Sequence, residues 1–231
     1  VIEAVLLDVG GVLITPDHDA IAPPIERAGG SPTTEALDRG HYAGIAAIDG
    51  LGWLDWTSYL EAVVNECGVP AARRAGAVEE LSQAHTAAIW RRVVPGAMAG
   101  LQELAATGVA LAIVSNSDGT VEQELLNAGL CQMGAGAGVP MTVILDSAVV
   151  GYEKPDPRIF HLALDKLGVP AERAVHVGDT ACADIDGARA AGVRPLHLDP
   201  YGFCPRPAGD HEHVRNLAEV AALVGFAPRG Q

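Results

Sequence analysis

The stretch LLDVGGVLI, residues 6–14, decides how this chain is read. A short apolar run, Ala4–Leu7, ends in a single carboxylate, Asp8, and the chain then turns through Gly10 and Gly11. An apolar run without polar alternation reads as a strand covered on both faces, as in a parallel sheet. Residues 109–114, 142–145, 174–177 and 195–198 have the same character. Helix-like segments separate these runs. Ala97–Thr107 lies between Pro95-Gly96 and Gly108, and residues 121–128 stop at Gly129. Pro157–Leu167 has Asp156 as N-cap and Gly168 as its stop, and residues 184–191 end at Gly192. Strand alternating with helix predicts an α/β fold, a Rossmann-like parallel sheet.

One region breaks the alternation. Residues 15–94 show helical patterns and no convincing strand, so an all-helical cap domain is expected there, inserted into a core made of residues 1–14 and 95–231. Ser31-Pro32 and Asp55 are its expected helix starts. YLEAVVNECG (59–68) and VEELSQAHTAAIW (78–90) are expected helix bodies. Trp53, Trp56 and Trp90 read as core packing of that insert.

The 231 residues suffice for such a core plus a smaller domain, and 49% of them are hydrophobic. The formal net charge of -14 argues against a nucleic-acid surface. No apolar run reaches the roughly 20 residues that span a bilayer, and the N-terminus lacks the basic and small-residue signals of a leader. The expectation is a cytoplasmic protein, a monomer or homodimer, without membrane or nucleic-acid partners. Cys67, Cys131, Cys182 and Cys204 form no C-x-x-C pair and read as free thiols, not as a zinc site or disulfide framework. DHEHV (210–214) resembles a metal cluster only superficially. It reads as the approach to a C-terminal helix built on NLAEVAALVG (216–225).

In a parallel sheet, ligands sit outside the carboxyl ends of the strands. Three apolar runs end there in polar residues: Asp8, Ser115-Asn116-Ser117 and Gly178-Asp179. A fourth polar patch, GYEKPDPRIF (151–160), precedes a helix. Neighbouring strands would bring carboxylates, a hydroxyl and an ammonium to one crevice.

This order and spacing resemble the haloacid dehalogenase-like hydrolase superfamily over nearly the whole chain. LLDVGGVL resembles its first motif, which makes Asp8 the nucleophile. AIVSNSD resembles the second, which gives the Ser115 hydroxyl to the phosphoryl group. Lys154 resembles the third motif's charge-neutralising lysine. HVGDTACADIDGARAAG resembles the fourth, with Asp179 and Asp184 as an acidic pair for Mg²⁺. The cap is that family's insert between its first two motifs. The resemblance implies an Mg²⁺-dependent phosphatase acting on a small phosphorylated metabolite through a phospho-Asp8 intermediate. Asp8, the Gly10 carbonyl, Asp179 and Asp184 would hold the metal, with oxygen ligands as Mg²⁺ prefers. Ser115, Asn116 and backbone N–H groups such as that of Gly11 would bind substrate. His41 and Tyr42, on a cap helix with Asp49, would face the crevice and select it.

The main departure is Gly10. The family's phosphatases usually carry a second aspartate at that position, as general acid and base, a contribution of roughly 10²–10⁴-fold. Either turnover is slow, or Asp17, His18, Asp19 or His41 substitutes, or the leaving group needs no acid. A non-catalytic member that binds a phosphorylated ligand is the alternative. A 2-haloacid dehalogenase fits less well, because those enzymes work without metal and typically lack the acidic fourth motif. The phosphonate-cleaving branch needs a cap lysine, and no lysine precedes Lys154.

Overall fold

A computed structural model describes residues 1–51, 56–84 and 89–225. In chain order, β1 (Ala4–Leu7) and β2 (Ile14–Pro16) precede the helices α1 (His18–Arg27), α2 (Thr34–Leu51), α3 (Trp56–Glu66) and α4 (Ala71–Ala84). Then come β3 (Trp90–Val93), α5 (Ala97–Thr107), β4 (Ala110–Ser115), α6 (Val121–Asn127), β5 (Cys131–Met133), β6 (Val139–Met141) and β7 (Val143–Asp146). The chain continues through α7 (Ser147–Val150), α8 (Pro157–Leu167), β8 (Ala174–Gly178), α9 (Asp186–Ala190), β9 (Arg194–Leu198), β10 (Glu212–Val214) and α10 (Leu217–Gly225). Its contacts form two compact units. One comprises Val1–Leu13, Val93–Pro200 and Ala208–Gln231, the other Ile14–Arg92 and Tyr201–Pro207.

The first unit holds a six-stranded sheet in the order β10-β9-β8-β1-β4-β7, every neighbouring pair parallel. On one face the alternate residues Ala4, Leu6, Ala112, Val114, Val143 and Leu145 pack against Ile159, Phe160, Ala163 and Leu164 of α8. Burying each large apolar side chain is worth about 1.5–3 kcal/mol. Helix α8 begins as expected: the Asp156 carboxylate accepts from the Arg158 N–H at 3.0 Å, and Pro157 fills the first turn. It stops at Gly168, whose φ of +68° is one that a side chain disfavours.

The five expected core strands are present, but β5, β6 and β10 were not foreseen. Each has three residues, too few for a period to show. Helix α9 starts later than residue 184, after a wide helical turn over Ala181–Ile185.

The second unit packs α1–α4 around Ile25, Ile48, Tyr59, Val64 and Leu81. Gly44 allows Tyr59 to lie against α2, since a Cβ there would stand 2.4 Å from the ring's Cδ2. The expectation of an insert without strands needs correction, because β2 and β3 pair as a two-stranded sheet. Ile14–Pro16 is three residues long and ends in proline, so it gave no strand signal. Helix α2 starts not at Ser31-Pro32 but after Thr33, whose hydroxyl accepts from the Ala36 N–H at 3.1 Å. Asp55 and Trp53 lie outside the described residues. Trp90 packs against the unit's core, whereas Trp56 is 40% exposed and is not the core residue expected. Tyr201–Pro207 joins this unit, with the Arg39 guanidinium 5.4 Å from the Tyr201 ring and 5.0 Å from Phe203. None of the four cysteines forms a disulfide. Among the described residues, no helix is long and apolar enough to cross a membrane.

Candidate active site

Strand register brings the motif residues to one sheet edge. Leu7 pairs with Ile113 on β4 and Val177 on β8, so Asp8, Ser115 and Asp179 all fall at or just past the carboxyl ends of three adjacent strands. The Asp8 N–H extends the ladder by one bond, to the Val177 carbonyl at 2.9 Å. Gly11 then takes φ +66°, turning the chain away from the strand.

Lys154 reaches this edge from the connection between α7 and α8. Its Nζ stands 2.6 Å from Asp8 Oδ1 and 2.6 Å from Asp184 Oδ1, with all three side chains buried. The backbone of Lys154 is clamped by Asn116, whose Oδ1 accepts from the Lys154 N–H at 2.7 Å and whose Nδ2 donates to its carbonyl at 2.9 Å. Asn116 is an expected substrate-binding residue; its side-chain amide is engaged with the lysine backbone. The peptide between Lys154 and Pro155 is cis.

Asp184 is held by three donors. Lys154 and His176 Nε2, the latter at 2.8 Å, share its Oδ1, and the Thr180 N–H reaches Oδ2 at 3.1 Å. This packing needs Gly178, since a Cβ there would fall 2.1 Å from the Asp184 Cγ. The Thr180 hydroxyl donates to Asp179 Oδ1 at 3.1 Å. Asp8, Asp179 and Asp184 each place a carboxylate oxygen within 4.8 Å of the others.

The electrostatics follow from three buried carboxylates around one ammonium. Burial pushes the Asp8 carboxyl up to about 7; Lys154 opposes the shift, while Asp184 and Asp179 add to it. Burial also acts on Asp184, but Lys154 and His176 outweigh it and hold that carboxyl well below the usual range. Burial works against the charge on Lys154, yet Asp184 and Asp8 more than compensate and raise it. Asp184 and Lys154 therefore stay ionised, and Asp8 is the group that most needs further positive charge. The donors are hard oxygens with negative charge in excess, which fits Mg²⁺.

The second unit carries the other expected site residues. His41 and Tyr42 are buried. His41 Nδ1 lies 2.9 Å from the Tyr59 hydroxyl, and Tyr42 and Trp90 meet its ring edge-on. Burial pushes the His41 imidazole down to about 3, so it is neutral at physiological pH. Asp17 caps α1 through the Asp19 N–H at 3.1 Å and pairs with Arg91, and His18 lies 3.3 Å from Asp38.

Three contributors escaped the sequence. His176 supports Asp184, and its alternate position in the strand run HVG was the only signal. Asp146 ends β7; its Oδ2 accepts from the Gly119 N–H at 2.9 Å and its Oδ1 from the Ala148 N–H at 3.0 Å, tying the loop after Ser115 to α7. His197 Nε2 lies 2.8 Å from the Asp179 carbonyl. The contacts of Asp146 with Gly119 and of His197 with Asp179 join residues far apart in the chain, with no sequence spacing of their own.

A family model described as haloacid dehalogenase-like hydrolase matches residues 2–192. The chain is 37% identical over 157 residues to a phosphoserine phosphatase of Thermus thermophilus, a match covering 65% of this chain and 60% of that protein. It is 34% identical over 138 residues to a phosphoglycolate phosphatase of Rhodospirillum rubrum, covering 60% and 52%. The chain thus spans between half and three fifths of the length of these curated relatives. Among solved structures, CbbY from Rhodobacter sphaeroides in complex with phosphate superposes with a TM-score of 0.53 at 24% identity, covering 95% of this chain and 96% of that one. A 2-haloacid dehalogenase from Pseudomonas syringae pv. Tomato DC3000 gives 0.56 at 22%, covering 97% and 98%. Identities this low show the fold alone. With four motifs in order at one sheet edge and a family model over most of its length, the chain belongs to the haloacid dehalogenase-like hydrolases.

Proposed function

We propose that this chain is an Mg²⁺-dependent phosphatase of small phosphate monoesters, with Asp8 as nucleophile. The observation that carries the reading is the buried Asp8–Lys154–Asp184 array beside Asp179, at the carboxyl edge of the sheet. The Asp8 carboxylate attacks phosphorus, the bond to the ester oxygen breaks with its electron pair on that oxygen, and the alkoxide or phenolate leaves, to be protonated by solvent, as a phospho-Asp8 forms. Water then attacks that phosphorus, the bond to the Asp8 oxygen breaks, inorganic phosphate and a proton are released, and the carboxylate is restored. Splitting one displacement into two lowers each barrier. The Ser115 hydroxyl and backbone N–H groups near Gly11 donate to the phosphoryl oxygens, and Lys154 offsets their charge. Asp8, Asp179 and the Gly10 carbonyl, with Asp184 behind them, would hold Mg²⁺, which supplies further charge neutralisation on the phosphoryl oxygens. Asp184 also fixes the lysine, because both its oxygens already accept hydrogen bonds.

Gly10 shapes the substrate range. Without an acid at that position the leaving oxygen departs with its own charge, which favours esters of acidic alcohols. The test is phosphate release from aryl and from sugar phosphates, with Mg²⁺, with chelator and in Asp8→Asn. Metal-dependent release that is lost in the variant supports the reading, and a strong preference for aryl esters supports the role given to Gly10. A folded, Mg²⁺-binding protein that releases phosphate from neither class overturns it in favour of a phospho-ligand-binding member without turnover.

A further inference from the structure

The first unit contains a second cluster of metal-competent side chains, at the opposite end of the sheet's strand order from β7. Strands β9 and β10 pair in parallel with His197 opposite His213, and His211 lies two residues earlier. The three imidazoles converge. Ring centroids are 4.9 Å apart for His197 and His211, 5.0 Å for His197 and His213, and 4.6 Å for His211 and His213. Their ligand nitrogens lie within 4.8 Å of one another.

The outer nitrogens define the chemistry. His197 Nε2 meets the Asp179 carbonyl at 2.8 Å, His211 Nδ1 meets Asp210 Oδ2 at 2.9 Å, and His213 Nδ1 lies 3.4 Å from Asp199 Oδ2. Carbonyl and carboxylate oxygens only accept, so the proton of each neutral ring belongs on that outer nitrogen. The inner nitrogens are then lone-pair donors. Two of them, His197 Nδ1 and His211 Nε2, face each other at 2.8 Å, where a cation between them satisfies both. An imidazole whose far N–H is fixed by an oxygen acceptor is the arrangement that orients histidine toward a metal.

We propose that His197, His211 and His213 bind one divalent transition-metal ion, zinc by the softness of its donors, at a site separate from the acidic centre. Neutral imidazoles suit zinc, whereas Mg²⁺ takes carboxylates and water. Zn–N bonds of about 2.1 Å in a tetrahedral site put ring centroids about 5.2 Å apart and ligand nitrogens about 3.4 Å apart. To admit the ion, the two His197 ring pairs open by about 0.2–0.3 Å and the His211–His213 pair by about 0.6 Å, with the stacked His211 and His213 rings turning toward it. The metal would fasten β10, a three-residue edge strand, to β9. Through His197 it would also brace the Asp179 backbone at the acidic centre.

The test uses the full chain stripped with chelator and kept in millimolar Mg²⁺, so that the acidic centre is served by the abundant ion. Co²⁺ is titrated in and visible absorption recorded, then Zn²⁺ is added. The expected result is one equivalent of Co²⁺ with d–d bands, displaced by Zn²⁺, and a melting temperature raised by metal. His211→Asn and His213→Gln should each weaken Co²⁺ binding by at least 100-fold. Asp210→Asn, which removes only an orienting partner, should weaken it about 10-fold. His213 is 41% exposed, so its variant is expected to fold, and its melting in chelator should match wild type. Absence of Co²⁺ binding in wild type overturns the proposal and leaves a proton shared between His197 and His211. Equal binding by wild type and both histidine variants also overturns it.

Discussion

Both units bury polar side chains, but they satisfy them in opposite ways. At the acidic centre of the sheet unit the buried groups carry charge: Lys154 bridges Asp8 and Asp184, and His176 and Thr180 complete the shell. In the helical unit the buried His41 is neutral, and a tyrosine hydroxyl is its polar partner. Burial therefore selects the uncharged form where neighbouring charges do not offset it. Charge survives only where several groups offset one another, and that balance is left incomplete at Asp8. An incomplete balance costs stability and prepares a site for a cation and a phosphate.

Several substitutions break or sharpen this contrast, and the largest effect is expected at the lysine. Lys154→Met leaves buried carboxylates without their ammonium, which by analogy with other broken buried pairs costs about 3–5 kcal/mol. Urea denaturation should read that loss, and phosphate release should fall with it.

Asp8→Asn should act in the other direction. It removes the charge that burial disfavours, so the metal-free protein gains on the order of 2–4 kcal/mol near pH 8 while losing turnover. The sign can be checked by pH. The folded-state carboxyl titrates near 7 against an ordinary 3.8, so its contribution is full below pH 3.8 and is lost as pH rises through 7. Chelator-treated wild type should therefore become less stable from pH 5 to pH 8, the variant should show a flatter profile, and added Mg²⁺ should stabilise wild type in the upper part of that range. Asp184, whose carboxyl is held low, contributes oppositely: its stabilisation is present above the ordinary carboxylate range and is lost on acidification below it.

Asn116→Ala removes two hydrogen bonds to the Lys154 backbone and should cost about 1–3 kcal/mol. Its larger signature is a fall in kcat with the lysine displaced. Tyr59→Phe should cost about 1 kcal/mol through the lost His41 contact, read by thermal melting, with turnover unchanged. Arg27→Ala breaks an exposed ion pair with Glu80 and should change stability by about 0.2–1 kcal/mol, less in high salt.

Much of the fold was legible because it rests on local signals. Ala4–Leu7 and Pro157–Leu167 coincide with their expected bounds, since an unbroken apolar run and a cap-proline-glycine frame are written in consecutive residues. Asp8, Ser115 and Asp179 were legible for a related reason: each ends or directly follows a recognisable strand. The short strands β2, β5 and β10 were not, because three residues acquire strand geometry only from a partner far along the chain. The histidine cluster was passed over for the same reason. DHEHV supplies two imidazoles, and the third comes from β9 through strand register.

By itself, then, the sequence determined the alternating α/β architecture, the order of the four motifs and the identity of Asp8, Ser115, Lys154 and Asp179 as residues at one sheet edge. Periodicity, capping and turn chemistry act over a few residues and can be read there. Only the tertiary structure decided how those groups are used. It tied the Asn116 side chain to the lysine backbone, placed Asp184 against Gly178, set His41 as a buried neutral imidazole beside Tyr59 and brought three histidines together. Desolvation and charge balance depend on what lies within a few ångströms in space, and residues 8, 154 and 184 become neighbours only when the sheet forms.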